Sequence, residues 1–215
     1  MFDISKRVVY ISINMLQFLK KFIIKNHLAL VICFFAIAGF VAAFTLTIDK
    51  INILKNPDQT LSCNINVLLN CGVVMKSEYA EAFGIPLSLL GVAGYPSALL
   101  TGLVLIEKRK ISPLLTWLTT IPPFLAFALS SWFMYVSAYL IGVFCPWCLL
   151  SALSSTCIFF AMLLIHFQEN NFGLPEGLAS YFQRKVRGGW HIPVITLFFL
   201  IVIFAVSYPF WIYSI

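Results

Sequence analysis

The feature that most constrains this chain is a series of long segments without a charged side chain. These segments cover residues 26–48, 82–106, 111–168 and 188–215. A helix needs about 20 apolar residues to cross the hydrocarbon core of a bilayer, so the first, second and fourth segments each fit one span. The third has 58 residues and fits two spans joined by a tight turn, which Gly142 and Pro146 mark. We therefore predict an all-α integral membrane protein with five transmembrane helices.

The composition agrees with a membrane protein and excludes other classes. Hydrophobic residues make up 61% of the chain and charged residues only 10%, whereas a soluble domain has about 25% charged residues. This excludes an ordinary soluble enzyme, a disordered chain and a small secreted domain held by disulfides. The basic residues are few and scattered, so membrane lipid is an expected partner and nucleic acid is not.

The distribution of the basic residues predicts the orientation. Of 14 lysines and arginines, 11 lie before the first span, between the second and third, or between the fourth and fifth. Because basic residues collect in cytoplasmic segments, the N-terminus should be cytoplasmic and the C-terminus outside. We predict a cytoplasmic segment at 1–27, a membrane domain at 28–215 and an outer loop at 49–84. The predicted spans are about 28–48, 85–106, 113–140, 146–166 and 192–213.

Six cysteines are present, and the topology divides them into two groups. Cys33 and Cys157 fall inside spans, where a thiol is expected to pack as a small apolar side chain. The other four belong to the outer side of the membrane, where disulfides persist. They are Cys63, Cys71, Cys145 and Cys148.

The motif Cys145-Pro146-Trp147-Cys148 stands at the predicted start of the fourth span. Proline is favoured in the first turn of a helix, and the pair Ser112-Pro113 predicts a similar start, with Ser112 as N-cap. Two residues between the cysteines let their sulfurs meet within one turn. The free N–H groups at a helix N-terminus stabilise a thiolate and lower its pKa, so Cys145 should be competent for disulfide exchange.

Cys63 and Cys71 are eight residues apart, which on a continuous helix is about 12 Å of rise. That exceeds the Cα separation of about 7 Å that a disulfide allows, so the segment must bend if the two cysteines pair. Asn70 and Gly72 favour such a bend. The spacing leaves two alternatives open: a zinc site made by the four thiols, and structural disulfides in a membrane scaffold or transporter.

Taken in order, three motifs resemble the bacterial branch of the vitamin K epoxide reductase family. They are Cys63 with Asn70-Cys71-Gly72, then Phe83-Gly84-Ile85-Pro86-Leu87-Ser88-Leu89-Leu90-Gly91, and then Cys145-Pro146-Trp147-Cys148. The resemblance implies a four-helix bundle around a quinone, a peripheral fifth helix, and a short helix in the outer loop at about 77–83. Many bacterial relatives carry a fused thioredoxin-like domain after the fifth span, and this chain is expected to be a form without it.

The resemblance also implies the activity, that of a quinone-dependent thiol oxidase in a bacterial inner membrane, with its active site on the periplasmic side. Cys63 would meet a separate periplasmic thioredoxin-fold partner, similar to DsbA, and Cys71 would pass electrons to Cys145. Cys148 would face the quinone, either ubiquinone or menaquinone, with Ser151 and Ser88 as further quinone contacts. No metal is expected.

The sequence departs from the animal members of this family at three positions. Leu87 and Ala152 stand where animal enzymes have an asparagine and a tyrosine that help to bind vitamin K or its antagonists. Asn64 follows Cys63 where animal members have an aspartate. The resemblance therefore leaves open whether vitamin K epoxide is a substrate and whether coumarins inhibit the protein.

Overall fold

The structure is a computed structural model that describes residues 2–56, 61, 63–66, 68–82 and 84–213. Seven α-helices occur among these residues. They are α1 (Phe2–Lys55), α2 (Cys71–Lys76), α3 (Leu87–Glu107), α4 (Pro113–Val136), α5 (Pro146–Glu169), α6 (Glu176–Arg187) and α7 (His191–Tyr213). Between α2 and α3 lie a 3-10 turn at Glu78–Ala80 and a two-stranded antiparallel ribbon of β1 (Glu81–Ala82) and β2 (Ile85–Pro86). The short helix of the outer loop is expected at about 77–83, but the α-helix there lies earlier, at Cys71–Lys76, and the expected segment begins with the 3-10 turn.

Four helices pack into a closed bundle. α1 contacts α3 and α5, and α4 contacts the same two helices from the other side. α7 lies outside the bundle, where the hydroxyl of Tyr139 donates to the carbonyl of Ala205 at 2.7 Å. The ring of Phe198 on α7 packs against Phe127 and Phe160 of the bundle. This arrangement confirms the predicted all-α membrane fold, with a four-helix bundle and a peripheral fifth helix.

Four helical stretches are long and apolar enough to cross a membrane: Lys25–Lys55, Leu87–Glu107, Pro113–Ile141 and Pro146–Glu169. Among the described residues, α7 adds a shorter apolar stretch, Ile192–Ala205.

The first helix runs unbroken through residue 27 and continues past residue 48, the predicted end of the first span, to Lys55. Its apolar stretch of 31 residues is about 46 Å long, against about 30 Å of hydrocarbon. The apolar stretch of α1 is therefore longer than the hydrocarbon requires, and the loop that follows α1 starts after residue 55, whereas the sequence predicts residue 49.

The sequence signals for helix ends are confirmed. Ser112 caps α4 through its side-chain oxygen, which accepts from the N–H of Leu115 at 3.4 Å. The turn between the third and fourth spans follows a π-helical segment, Ser137–Ile141, in which the N–H of Gly142 donates to the carbonyl of Ser137. Gly142 has a φ of 72°, a left-handed conformation that glycine adopts without a steric penalty.

Small residues allow α1 and α3 to approach closely. A side chain at Gly102 would come within 2.9 Å of the sulfur of Cys33, and one at Gly91 within 2.8 Å of Ala43. Small residues at helix contacts allow the backbone approach that stabilises packing inside a membrane. Cys33 therefore packs against Gly102 of α3, as expected for a cysteine inside a span.

One histidine, at the end of the bundle opposite the outer loop, differs from what is expected of it. A histidine at the end of a span is expected at the membrane interface, but His166 is fully buried, with Nδ1 3.1 Å from the side-chain amide nitrogen of Asn171. Asn171 also donates to the carbonyl of Arg109 and accepts from the N–H of Ile111. His166 is therefore part of a buried polar network that fixes the connection between α3 and α4.

Candidate active site

The segment before the second loop cysteine is fastened to the segment before α5 through backbone atoms. The N–H of Asn70 donates to the carbonyl of Phe144 at 2.9 Å, and the N–H of Phe144 donates to the carbonyl of Leu68 at 2.8 Å. Because Cys71 and Cys145 directly follow these residues, the two hydrogen bonds bring the two cysteines together.

The outer loop contains the bend that pairing of its cysteines requires. Asn64 and Asn70 form an antiparallel bridge, and the side chain of Asn64 accepts from the N–H of Gly72 at 3.1 Å. Cys63 and Cys71 are joined by a disulfide, with their Cα atoms 5.7 Å apart. The zinc alternative requires four thiolates, and this disulfide engages two of the four sulfurs.

The C-x-x-C motif begins α5. Cys145 is the N-cap, Pro146 stands in the first turn, and the Cys145 sulfur accepts from the N–H of Cys148 at 3.4 Å. Hydrogen bonding with the Cys148 thiol lowers the pKa of Cys145, and the N–H groups of Cys148 and Trp147 lower it further, against the opposing effect of burial. Cys145 is thus favoured as a thiolate, which is the form that attacks a disulfide or leaves one.

All four outer cysteines come together at one end of the bundle. The sulfur of Cys71 lies 3.2 Å from the sulfur of Cys145, and both residues are fully buried. Cys63 is also buried, at 5% exposure, and Cys148 is half-buried. The geometry thus connects the loop disulfide to the C-x-x-C pair through direct sulfur contact.

Two charged residues near these cysteines were not identified as site residues from the sequence. Asp49 on α1 places a carboxylate oxygen 3.9 Å from the sulfur of Cys63. The next residue, Lys50, donates to the carbonyl of Met75 at 2.8 Å and pairs with Glu81 at 3.0 Å. No local pattern in the sequence marks either contact, because the predicted outer loop begins at residue 49 and the first helix is expected to end before it.

A cavity of about 340 Å³ lies between the four bundle helices and reaches Cys148. Apolar side chains of α1, α3, α4 and α5 form most of its wall. Ser88 and Ser151, which the sequence analysis assigned to the quinone, both line it, as do Leu87 and Ala152 at the positions that depart from the animal enzymes.

Polar groups in the cavity wall are few and are held in place. The hydroxyl of Tyr95 lies 2.7 Å from the hydroxyl of Ser151 and donates to its carbonyl oxygen. The hydroxyls of Ser130 and Ser155 are 2.8 Å apart on another part of the wall. Tyr95 was not identified from the sequence, since nothing in its helical pattern separates it from packing residues.

The donor set of this cavity fits a quinone. A quinone is an apolar ring with two carbonyl oxygens, so it requires an apolar wall with a few hydrogen-bond donors. The wall supplies the hydroxyls of Ser88 and Ser151 as donors, and the sulfur of Cys148 lies beside the same space. Tyr95 donates its own proton to the Ser151 carbonyl and thereby positions Ser151.

Comparisons with known proteins agree with this geometry. The model of the vitamin K epoxide reductase family matches residues 30–163, a range that includes α3, α4, parts of α1 and α5, and all four outer cysteines. No curated protein matches the chain. Members of the family are oxidoreductases that act on thiols and quinones, which disfavours a scaffold or transporter. The chain belongs to the vitamin K epoxide reductase family and is a membrane thiol oxidoreductase linked to a quinone.

Proposed function

We propose that this protein is a thiol oxidase that restores the disulfide of a thioredoxin-fold protein and passes the electrons to ubiquinone or menaquinone. The observation that carries the proposal is the 3.2 Å contact between the sulfurs of Cys71 and Cys145. It joins a loop disulfide to a C-x-x-C pair whose second member lines the cavity. Electrons that enter at the loop can therefore reach the cavity by thiol–disulfide exchange alone.

The proposed path runs inward through four cysteines. A thiolate of the partner attacks Cys63, the Cys63–Cys71 bond breaks, and Cys71 leaves as a thiolate. Cys71 then attacks Cys145 in a Cys145–Cys148 disulfide, and Cys148 is released as a thiolate beside the cavity. A quinone held by Cys148, Ser151 and Ser88 supplies an acceptor for two electrons.

We place the protein in a bacterial inner membrane with its cysteines on the periplasmic side, because basic short loops stay in the cytoplasm. Cysteines introduced at Lys108 or Arg184 should react with an impermeant thiol reagent only after the membrane is permeabilised. Labelling of these cysteines in intact cells would show that the proposed orientation is wrong.

An exposed apolar patch beside the loop disulfide supports docking of a protein partner. Ile65, Leu68 and Val73 are 66%, 51% and 46% exposed, within ten residues of Cys63. Family members act with thioredoxin-like proteins in general, and we infer a separate DsbA-like oxidase here. Because Cys63 itself is buried, docking must displace neighbouring loop residues before exchange.

The test is turnover with purified components. The protein in detergent or nanodiscs is mixed with a quinone and a reduced thioredoxin-fold oxidase, and quinone absorbance is followed. Single alanine variants of Cys63, Cys71, Cys145 and Cys148 should each abolish turnover, whereas Cys33→Ala and Cys157→Ala should retain it. Full turnover without Cys63 or Cys71 would contradict the proposed path.

A further inference from the structure

We propose that Asp49 gives direction to the exchange between the loop and the C-x-x-C motif. Its carboxylate lies 3.9 Å from the sulfur of Cys63 and disfavours a thiolate there. The exchange therefore favours the state in which Cys63 is in the disulfide and Cys145 is the thiolate. This inference rests on the proposed function, because it assumes that electrons pass through Cys71 to Cys145.

The step in question restores the loop disulfide after the partner has left. The Cys63 thiolate attacks the sulfur of Cys71, which at that point is bonded to Cys145. The electron pair on Cys63 forms the new Cys63–Cys71 bond, and the pair of the broken bond stays on Cys145. One thiolate and one disulfide enter the step and one of each leaves it, so no oxidant or proton donor is required.

The structure shows the product arrangement of this step. Cys63 and Cys71 are bonded, and the Cys145 sulfur remains 3.2 Å from Cys71. The reverse attack is therefore also within reach, and it would return electrons to the loop. It would expel Cys63 as a thiolate directly beside Asp49.

Charge favours the forward direction at both ends of the step. The starting thiolate on Cys63 is repelled by the neighbouring carboxylate of Asp49, and a thiolate leaves more readily where it is stabilised. The product thiolate on Cys145 is stabilised first by hydrogen bonding with Cys148 and then by the N–H groups of Cys148 and Trp147 at the N-terminus of α5. Asp49 also raises the pKa of Cys145, but this is the weakest of the effects on that thiol, so the carboxylate opposes a thiolate on Cys63 more than one on Cys145.

The ammonium of Lys50, the residue next to Asp49, does not pair with the Asp49 carboxylate. Lys50 directs its ammonium to the carbonyl of Met75 and to the carboxylate of Glu81. Asp49 itself is half-buried, so its charge acts on Cys63 at short range with partial screening by solvent.

The test uses a variant in which three relay cysteines share one disulfide. In Cys148→Ala, either Cys63–Cys71 is bonded and Cys145 is free, or Cys71–Cys145 is bonded and Cys63 is free. The two forms interconvert without quinone or partner. Acid quenching, alkylation of free thiols and peptide mass spectrometry give their ratio, with the unpaired Cys33 and Cys157 as internal standards.

Asp49→Asn in this background should raise the ratio of free Cys63 to free Cys145 about threefold, which corresponds to roughly half a pKa unit of difference between the effects of Asp49 on the two thiolates. Asp49→Glu should restore the original ratio. Glu78→Gln removes an exposed loop carboxylate and should leave the ratio unchanged.

The failures of the inference and of the proposed function are distinguishable. If the ratio of free Cys63 to free Cys145 is the same with and without Asp49, or if Glu78→Gln changes it as much as Asp49→Asn does, the role of Asp49 is wrong. The proposed function would not be affected by either result. The Cys63→Ala/Cys148→Ala variant leaves Cys71 and Cys145 as the outer pair. If these two do not form a disulfide under mild oxidation, the relay is wrong, and the inference fails with it.

Discussion

Replacement of Lys50 by methionine should loosen the loop that covers the outer end of the cavity. The buried Lys50 ammonium holds the carbonyl of Met75 at 2.8 Å, and methionine keeps the length of the side chain but removes the donor. A hydrogen bond to a charged group is worth about 1.5–3 kcal/mol. The ion pair to Glu81, whose side chain is 43% exposed, adds about 0–1 kcal/mol. A loss of about 2 kcal/mol makes local opening about 30-fold more frequent.

Hydrogen–deuterium exchange of the backbone amides of α2 (Cys71–Lys76) measures this opening directly. We expect exchange about 30-fold faster in Lys50→Met and at most about fivefold faster in Glu81→Gln, which keeps the bond to Met75. Lys55→Met makes the same substitution at an exposed site on the same helix and serves as the control. Equal exchange in Lys50→Met and Lys55→Met would refute the claim that this lysine holds the loop.

Three further predictions concern the thiolate, the docking patch and the cavity. With the loop cysteines replaced, Cys148→Ala should raise the pKa of Cys145, because it removes the hydrogen bond that lowers it; ultraviolet thiolate absorbance should then develop at higher pH, and an unchanged midpoint would contradict this cause. Ile65→Ser should raise KM for a thioredoxin-fold partner about fivefold, the effect of about 1 kcal/mol of lost apolar burial, and leave oxidation of a small dithiol unchanged; an equal loss with both substrates would argue against docking there. Tyr95→Phe should weaken quinone binding about fivefold, as expected for one hydrogen bond, with titration by fluorescence quenching as the measurement; unchanged affinity would remove the Tyr95–Ser151 pair from the quinone site.

The sequence predicts the membrane fold because its physical signals are local and strong. A charge-free segment of about 20 residues leaves few alternatives to a spanning helix. Proline after a capping residue marks a helix start, as Ser112 and Cys145 both show. The order of the cysteine motifs then indicates which family the bundle belongs to.

The rest of the site depends on contacts that no local pattern encodes. Charge marks where the hydrocarbon ends and not where a helix ends, so α1 was predicted to stop before Asp49 and Lys50. These residues stand on the last turns of α1, where Lys50 contacts Met75 and Asp49 contacts Cys63 of the loop. Tyr95 is likewise indistinguishable from a packing residue until its hydroxyl is seen against Ser151.

The attachment of the loop to Phe144 has a consequence for mutagenesis. Both hydrogen bonds join main-chain atoms, so an alanine at Leu68, Asn70 or Phe144 leaves donors and acceptors in place. An alanine scan at these positions therefore reports on their side chains, such as the cap that Asn70 provides for the N–H of Val73, and not on the attachment that holds Cys71 against Cys145. An ester in place of the amide nitrogen of Asn70 or Phe144 deletes one bond while keeping every side chain.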